Sequence, residues 1–222
     1  NVKKISFLDV IIVATTNSKN DKKIKEITKK NDVEIFYGSE KNVMKRYVDA
    51  AKKFKLDVII RITGDCPLIS KEVMDFMLLS HFKKHADFTL PLNATIGTAG
   101  EIINYSSLSA LYRKVLKQNV PMKYREYFKF FFKHQRYNFK YNQVVLPKKY
   151  VTKFRLTVDY ISDLVMMNKL AKELTVNKKE FKISNIFYIL KKKPLISKIN
   201  SENPVIYRVK KFITEINQAI SK

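Results

Sequence analysis

The sequence predicts an α/β fold in which helices cover both faces of a doubly wound, mixed and mainly parallel sheet. Three units of strand followed by helix succeed one another between residues 10 and 85. This alternation is typical of parallel strands joined by right-handed helical crossovers. Short strands with no helix between them follow residue 86 and make the predicted sheet mixed. Sheets of this kind bind ligands at the carboxyl ends of their strands, so the loops at those ends are candidate sites.

The first half of the chain supplies the three strand and helix units. Residues 10–16 form a β-branched run typical of a buried strand, and Ser39 and Ser70 stand where helix N-caps are expected. Apolar residues recur three and four positions apart after each strand, which predicts helices with one buried face. The predicted strands are 10–16, 34–37 and 57–63, and the predicted helices are 21–30, 39–54 and 70–85.

The second half predicts further strands and a helical extension. A loop with Gly97 and Gly100 separates two short strands, and its glycines permit unusual backbone angles. We divide the chain into an α/β domain over residues 1–183 and a helical extension over residues 184–222. The predicted strands of this half are 86–91, 101–105, 137–146 and 154–158, and the predicted helices are 106–118, 122–135 and one after Asp159.

The composition predicts a soluble, cytoplasmic chain. Among its 222 residues, 45% are hydrophobic, but no apolar run approaches the roughly 20 residues of a membrane helix, so no membrane partner is expected. The single cysteine, Cys66, excludes an intramolecular disulfide and favours a reducing compartment. The net charge is +24, yet only seven of the 44 basic residues are arginine, which nucleic-acid recognition favours. The lysine excess therefore indicates a solvated surface, and nucleic acid is not the expected partner.

Two aspartates follow predicted strands and are candidates for binding a divalent cation. Asp65 lies on a turn with Gly64 after the third predicted strand, and Asp159 follows the last one. Carboxylates at strand ends can meet across one crevice, where a Mg²⁺ held between them would bind triphosphate oxygens. Aspartate is also common at turns and helix caps, so a capping role is the alternative for each residue.

Three groups of residues resemble a known enzyme family. They are residues 38–40 with 46–47, residues 58–69 (VIIRITGDCPLI), and residues 155–159 with 162–164 (RLTVD and SDL). Together they resemble the cytidylyltransferases of spore coat polysaccharide biosynthesis, which are related to acylneuraminate and 3-deoxy-octulosonate cytidylyltransferases. The resemblance extends from residue 1 to about residue 200.

The resemblance implies a Rossmann-like fold of the nucleotide-diphospho-sugar transferase type and transfer of CMP from CTP to a sugar acid, for polysaccharide or glycan biosynthesis. In that family a sugar hydroxyl attacks the α-phosphate of CTP and pyrophosphate leaves. The resemblance further implies that Asp65 and Asp159 hold Mg²⁺ and are the catalytic pair, and it leaves a homodimer open. The residues it places at the substrates are Arg61, Thr63 and Gly64 near the nucleotide, Glu101 at the sugar hydroxyls and Arg125 at the sugar-acid carboxylate.

The sequence departs from the family pattern at its N-terminal end. Family members begin with a strand and a loop bearing Arg, Ser and Lys that wraps the triphosphate, and no such loop precedes Val10. We therefore expect an N-terminally truncated domain without its first strand, in which strands 10–16 and 57–63 pair directly or leave a slot. We also expect the polypeptide alone to have little or no nucleotidyl transfer activity, which leaves its status as an enzyme open.

Two other functions are compatible with parts of the sequence. A glycosyltransferase that uses a nucleotide-sugar donor would share the fold, but it would have two acidic residues close together at a strand end, whereas Cys66 and Pro67 follow Asp65. A basic, non-enzymatic nucleic-acid-binding module would use the net charge and the aromatic and cationic residues of segment 124–133. The rings of that segment fall on one helical stripe, which favours the core over a binding platform or a dimer interface.

Two further sets of residues are given no chemical role. His81 and His85 stand four apart on a predicted helix, but Lys83 and Lys84 between them favour surface positions over a metal site. Cys66 has no base or orienting partner in the sequence, so we interpret it as a small side chain that lines a loop.

Overall fold

A computed structural model of the chain describes residues 1–205 and 209–221. Strands and helices alternate through the first half, and helices dominate the C-terminal part. The strands are β1 (Ile12–Thr15), β2 (Glu34–Tyr37), β3 (Val58–Arg61), β4 (Phe88–Pro91), β5 (Glu101–Asn104) and β6 (Tyr141–Val144). The α-helices are α1 (Lys22–Lys30), α2 (Val43–Lys53), α3 (Lys71–Lys83), α4 (Tyr105–Lys117), α5 (Phe128–Lys133), α6 (Ile161–Val176), α7 (Ile183–Lys192), α8 (Pro194–Ser197) and α9 (Lys210–Ser221).

The strands form two sheets. β1 and β2 pair in parallel, and a second sheet has the strand order β3-β5-β4-β6. In this second sheet β5 runs antiparallel to both β3 and β4, whereas β4 and β6 are parallel. The mixed α/β architecture predicted from the sequence is therefore confirmed, with antiparallel pairing where the second half begins.

A cavity of about 1210 Å³, which we call the slot, lies between β1 and β3. Its lining includes Ile12 and Ala14 of β1 and Ile60 of β3. Among the described residues β1 pairs only with β2, and β3 pairs only with β5. Of the two arrangements left open by the sequence, the structure therefore has the slot, and each bordering strand keeps one edge without a strand partner.

Helices cover both faces of the second sheet. Ile102 and Ile103 follow each other on β5, and both are fully buried, but they belong to two different apolar clusters. Successive side chains of a strand point to opposite faces, so the two clusters lie on opposite sides of the sheet. The Ile102 cluster includes residues of α3, α6 and α7, and the Ile103 cluster includes residues of α2, α4, α5 and α9.

The aromatic residues of segment 124–133 lie in the core, as predicted. Tyr124, Phe128, Phe131 and Phe132 are all buried in the cluster of Ile103. Phe132 stacks on Phe88 of β4 with the ring centroids 4.6 Å apart. A stripe that is buried in this way is not available as a nucleic-acid platform or as a dimer interface.

The strand predicted over residues 154–158 is wrong. Arg155 makes one isolated parallel bridge with Ile96, and the N–H of Leu156 donates to the carbonyl of Ile96 at 2.9 Å. The N–H of Val158 donates instead to the carbonyl of Asp65 at 2.8 Å. Because consecutive backbone groups bond to two different loops, no continuous ladder forms.

The helix predicted over residues 122–135 is shorter than expected. Met122–Tyr124 forms one 3-10 turn, and α5 begins only at Phe128. Within the break, Nε of Arg125 donates to the carbonyl of Val120 at 2.8 Å and so satisfies a backbone group before the 3-10 turn. The aromatic stripe survives the break because both pieces pack on the same cluster.

His81 corrects the prediction of a surface position. Its side chain is 1% exposed and is hydrogen-bonded to Thr89 at 2.8 Å and to Asn104 at 3.0 Å. Burial lowers the pKa of His81 below its ordinary value, because the imidazolium form loses hydration. His85 is exposed, as predicted.

The predicted helical extension contains α8, α9 and most of α7. Ile186, Phe187 and Leu190 of α7 are buried against residues of α3 and α6, so their helical spacing marks a packed face. Residues 206–208 and 222 of the extension lie outside the described residues, and the division at residue 183 stays a prediction. None of the helices in the described part of the chain has both the length and the apolar character that crossing a membrane requires.

Candidate active site

A cavity of about 1010 Å³ opens at the carboxyl end of β3, and we call it the Asp65 cavity. Asp65 and Asp159 both line it, as do Arg61, Thr63 and Glu101. The structure thus brings together five of the seven residues that the sequence analysis placed at a site. The remaining two, Gly64 and Arg125, lie elsewhere and are described below.

The loop after β3 is fastened to the segment that carries Asp159. The carbonyl of Asp65 accepts hydrogen bonds from the N–H of Val158 at 2.8 Å and from the Thr157 hydroxyl at 3.2 Å. The same hydroxyl lies 3.3 Å from Oδ2 of Asp65. Because Asp159 follows Val158 directly, these bonds hold the backbones of the two aspartates next to each other, although 93 residues separate them in sequence.

Asp65 carries a buried carboxylate oxygen without a partner. Its Oδ1 has no hydrogen-bond donor among the described residues, whereas Oδ2 faces Thr157. A buried anionic oxygen in this state is costly unless a donor or a cation meets it. The side chain of Asp159 is 44% exposed at the same cavity, so its carboxylate is accessible to a ligand there.

The donor set fits Mg²⁺ better than a transition metal. The described residues contain no group of three or more His, Cys, Asp or Glu side chains that could hold a metal ion. Mg²⁺ requires oxygen ligands and is commonly bound by one or two carboxylates together with substrate phosphates and water. The pair of Asp65 and Asp159, with one oxygen of Asp65 unsatisfied, meets that requirement.

A buried ion-pair network positions Asp159. Arg155 donates from Nε to Oδ1 of Asp163 at 2.9 Å, and its Nη2 contacts Asp159. Oδ2 of Asp163 accepts from the backbone N–H groups of Asp159 at 2.9 Å and Tyr160 at 3.0 Å. Asn200 donates to Oδ1 of Asp163 at 2.8 Å and to the Arg155 carbonyl at 3.1 Å.

The charge of Asp163 is fixed by this network. Burial alone would raise its pKa, but the hydrogen bonds from Arg155 and from the Asp159 N–H hold the pKa of Asp163 below its ordinary value. Asp163 therefore stays ionised and keeps Arg155 paired. The turn that carries Asp159 is consequently held by side chains that do not themselves enter the cavity.

Arg61 and Glu101 form an ion pair in the cavity wall. Nη1 of Arg61 lies 2.8 Å from Oε2 of Glu101, and the two side chains are 12% and 13% exposed. The guanidinium also lies over the ring of Phe128, 4.8 Å from its centroid, and 5.5 Å from that of Tyr47. Burial opposes the charge, but Glu101 raises the pKa of Arg61 above its ordinary value. Nε of Arg61 is buried without a partner in the described part of the chain.

Two glycines of the cavity wall lie against the segments that lead to the aspartates. Gly97 has φ +86°, and a Cβ there would lie 1.9 Å from the carbonyl oxygen of Leu156. A Cβ on Gly100 would lie 2.5 Å from the carbonyl oxygen of Arg61. The unusual backbone angle predicted for this loop is confirmed at Gly97, and both positions allow close backbone approach.

Gly64 and Arg125 are not brought into the Asp65 cavity. Gly64 lines the slot instead. Arg125 is 7% exposed, and its Nε donates to the carbonyl of Val120, so its guanidinium serves the turn before α5. Their roles at the substrates therefore have no geometric support.

Residues from three elements complete the cavity wall and are not predicted from the sequence. A helical spacing of four places Lys129 and Lys133 on one side of α5, but the surrounding rings dominated the pattern. The amphipathic spacing of α9 predicts that one face of the helix is buried. It does not predict on which part of the protein the helix packs. The missed residues are Lys129, Lys133 and His134 at α5, Tyr141 and Gln143 on β6, and Ile213 and Asn217 on α9.

Cys66 also lines the cavity but has the environment of an inert thiol. Burial raises the pKa of the Cys66 thiol, which disfavours the reactive thiolate. Its sulfur lies 3.5 Å from the Thr63 hydroxyl and 3.9 Å from that of Thr157. The prediction of a loop-lining side chain agrees with this position.

Comparison with known proteins gives the chain a family. A family model described as cytidylyltransferase matches residues 1–208. The chain belongs to the cytidylyltransferase family. The resemblance found in the motifs of this cytidylyltransferase is thereby confirmed.

Two curated relatives and one solved structure are similar to this cytidylyltransferase. The uncharacterized protein MJ1063 of Methanocaldococcus jannaschii is 33% identical over 202 residues, which cover 90% of this chain and 80% of that protein. The spore coat polysaccharide biosynthesis protein SpsF of Bacillus subtilis is 30% identical over 156 residues, which cover 70% of this chain and 64% of SpsF. A cytidylyltransferase structure from Leptospira borgpetersenii superposes with a TM-score of 0.77 at 27% identity, covering 92% of this chain and 83% of that one.

Proposed function

We propose that this cytidylyltransferase uses CTP and Mg²⁺ to transfer CMP to a sugar acid, in the cytoplasm, for the synthesis of a polysaccharide or glycan. The observation that supports this most is the unpartnered buried Oδ1 of Asp65, in the same cavity as Asp159 and held beside it by the bonds of residues 157–158 to the Asp65 carbonyl. A bound cation would satisfy this oxygen.

Asp65 and Asp159 would hold the metal, which when bound neutralises negative charge on the phosphates. Arg61 lines the same cavity, and its guanidinium would supply positive charge near the phosphates. Thr63 adds a hydroxyl between Arg61 and Asp65 along the chain. Transfer of this kind depends on positioning and charge neutralisation, so no nucleophilic side chain is needed, in agreement with the inert Cys66.

The acceptor side of the proposal rests on the groups around Glu101 and α5. Glu101 is an acceptor for sugar hydroxyls, and its pairing with Arg61 fixes its orientation. Lys129 and Lys133 line the cavity and supply positive charge for a carboxylate, the role that the resemblance had given to Arg125. A sugar acid therefore agrees better with this wall than a neutral sugar does.

We expect turnover by this 222-residue polypeptide to be slow. Arg61, Thr63 and Cys66 border the slot as well as the Asp65 cavity, so the wall that would position the triphosphate has open space behind it. Positioning contributes much of the rate in such reactions. We therefore expect a rate well below the roughly 1 s⁻¹ of ordinary enzymes.

The test measures pyrophosphate release from CTP with a panel of sugar acids, together with Mn²⁺ binding followed by paramagnetic resonance. Asp65→Asn should weaken Mn²⁺ binding by about tenfold or more and abolish release. Asp49→Asn is the matched control, because Asp49 lies on the exposed face of α2 in a pair with Lys45.

Three results would count against the proposal. Equal Mn²⁺ affinity in the wild type and Asp65→Asn would show that Asp65 does not bind the metal. Absence of CMP transfer to every acid tested, even at long incubation, would remove the sugar-acid reaction. Turnover at ordinary enzyme rates would refute the expectation of slow transfer while supporting the reaction itself.

A further inference from the structure

Helix α9 lies beyond the family match and yet lines the Asp65 cavity. The match to the cytidylyltransferase family ends at residue 208, and α9 covers Lys210–Ser221. Ile213 and Asn217 of this helix stand in the same wall as Asp65 and Asp159. The helix therefore contributes to the cavity from outside the residues that the family model matches.

The position of α9 is fixed by packing. The ring of Phe212 contacts that of Tyr127 with centroids 4.7 Å apart, and those of Tyr124 and Phe130 at 6.0 and 6.2 Å. Ile216 and Ile220 are fully buried in the same apolar cluster as α5. A helix anchored over three turns presents its neighbouring side chains at defined positions.

The two cavity-lining residues form a stripe of their own. Phe212, Ile216 and Ile220 are spaced by four and make the docking face, and Ile213 and Asn217 follow one position later, about 100° around the helix. The next position along, Gln218, is exposed and does not line the cavity. The helix thus has a buried face, a cavity face and a solvent face.

The C-terminal part of α9 is bonded to the segment that follows α5. His134 at the end of α5 is hydrogen-bonded to Ser221 at 3.3 Å, and Arg136 donates to the carbonyl of Ile220 at 2.9 Å. Phe132, two residues before His134, stacks on Phe88 of β4, which in turn stacks on Tyr141 of β6. α9 therefore approaches the β4 and β6 side of the sheet.

The cavity spans the ends of the four strands from β3 to β6. Asp65 follows β3, whereas Tyr141 and Gln143 of β6 line the opposite end. In the order β3-β5-β4-β6 these ends are three strand spacings apart, roughly 14 Å. With the phosphates at Asp65, the second substrate occupies the part of the cavity toward β6, where hydroxyl, amide and ammonium groups line the wall.

We infer that Ile213 and Asn217 of α9 contact the acceptor and decide which sugar acids this chain accepts, an inference that rests on the proposed function. The amide of Asn217 can both donate to and accept from sugar hydroxyls, and Ile213 supplies an apolar surface for their carbon skeleton. A contact of this kind changes the preference between acceptors and leaves the nucleotide contacts intact.

The inference is tested by labelling single cysteines. Cys66 is the only cysteine of the chain, so Cys66→Ser provides a thiol-free background into which Asn217→Cys or the control Gln218→Cys is introduced. The probes are CTP alone, N-acetylneuraminate and 3-deoxy-octulosonate. At about ten times its dissociation constant, an acid that covers the thiol should slow alkylation at position 217 about tenfold. The rate at position 218 should not change, and CTP alone should protect neither position.

Turnover by variants with the native Cys66 is the second measurement. Asn217→Ala should change the ratio of kcat/KM between two acceptor acids by about tenfold, and Gln218→Ala should not change it. Wild-type turnover with an unprotected position 217 or with an unchanged ratio would overturn the role of α9 and leave the proposed reaction standing. Protection at 217 without CMP transfer would support acid binding at α9 and refute the reaction. Neither protection nor transfer with any acid would overturn both.

Discussion

The pair of Arg155 and Asp163 offers the sharpest test of how Asp159 is held. Asp163→Asn keeps the size of the side chain but removes its charge, and in either orientation its amide NH₂ group faces donors, because both carboxylate oxygens of Asp163 accept hydrogen bonds. The side chains of the pair are only 4% and 0% exposed. Breaking a buried ion pair by removing one partner costs about 3–5 kcal/mol. For a chain of this length that corresponds to a fall in Tm of about 6–20 °C.

The assay is thermal and urea unfolding at pH 7, with Asp49→Asn as the control. The exposed pair of Asp49 and Lys45 should contribute less than about 1 kcal/mol. The double variant Arg155→Met and Asp163→Leu should recover only part of the loss, because no unpaired charge is then buried but the N–H groups of Asp159 and Tyr160 still lack their acceptor. A Tm of Asp163→Asn within 2 °C of the wild type, by the scale of about 2–4 °C per kcal/mol, would refute the reasoning.

The same variant has a signature in its pH dependence. The pKa of Asp163 is lower in the folded protein than its ordinary value of 3.8, so the unfolded chain binds the proton more readily. The stabilisation is therefore fully present above the ordinary pKa and is lost as the pH falls below it. Wild-type stability should drop below about pH 4 more steeply than that of Asp163→Asn. Parallel pH profiles would show that Asp163 does not carry this stabilisation.

Two further predictions concern the folding of the site region. Gly97→Ala should lower stability by about 1–3 kcal/mol because of its positive φ and the Cβ contact with Leu156, whereas Gly64→Ala, with no atom within 4 Å of its Cβ, should change it little. Equal urea midpoints for the two variants would contradict this. The wild type should lose stability as the pH falls below the ordinary His81 pKa of 6.5, because burial lowers the folded pKa. His81→Leu should be less stable at pH 7 but should not lose stability as the pH falls below 6.5. The control His85→Asn, at an exposed position, should keep this pH dependence. If His81→Leu keeps it as well, His81 is not its source.

Much of the fold could be predicted from local patterns. The β-branched run before Thr16 predicts β1, and the apolar run before Thr63 predicts β3, because short apolar segments flanked by turn residues are typical of buried strands. The position of Asp65 at a strand end follows from that assignment. Its proximity to Asp159 could only be expected, since it depends on hydrogen bonds from residues 157–158 to the Asp65 carbonyl.

The failures have a common physical cause, which is that the residue pattern does not specify the contacts of an individual side chain. Lysines beside His81 suggest a surface position, but the histidine points inward toward Thr89 and Asn104. Arg125 belongs to a basic and aromatic segment, yet the nearby Val120 carbonyl takes its Nε and holds it in a turn. The amphipathic spacing of α9 predicts a docking face but not the surface on which it docks, so Asn217 could not be placed at the cavity from sequence.

The slot and the Asp65 cavity share a wall, since Arg61, Thr63, Cys66 and Glu126 line both. A molecule bound in either cavity therefore contacts side chains that also line the other cavity. Thermodynamic linkage makes any resulting change in affinity mutual and equal in factor. An extended segment bound beside β3 would thus change the affinity for a nucleotide bound beside Asp65, and the nucleotide would change the affinity for the segment, through the guanidinium of Arg61.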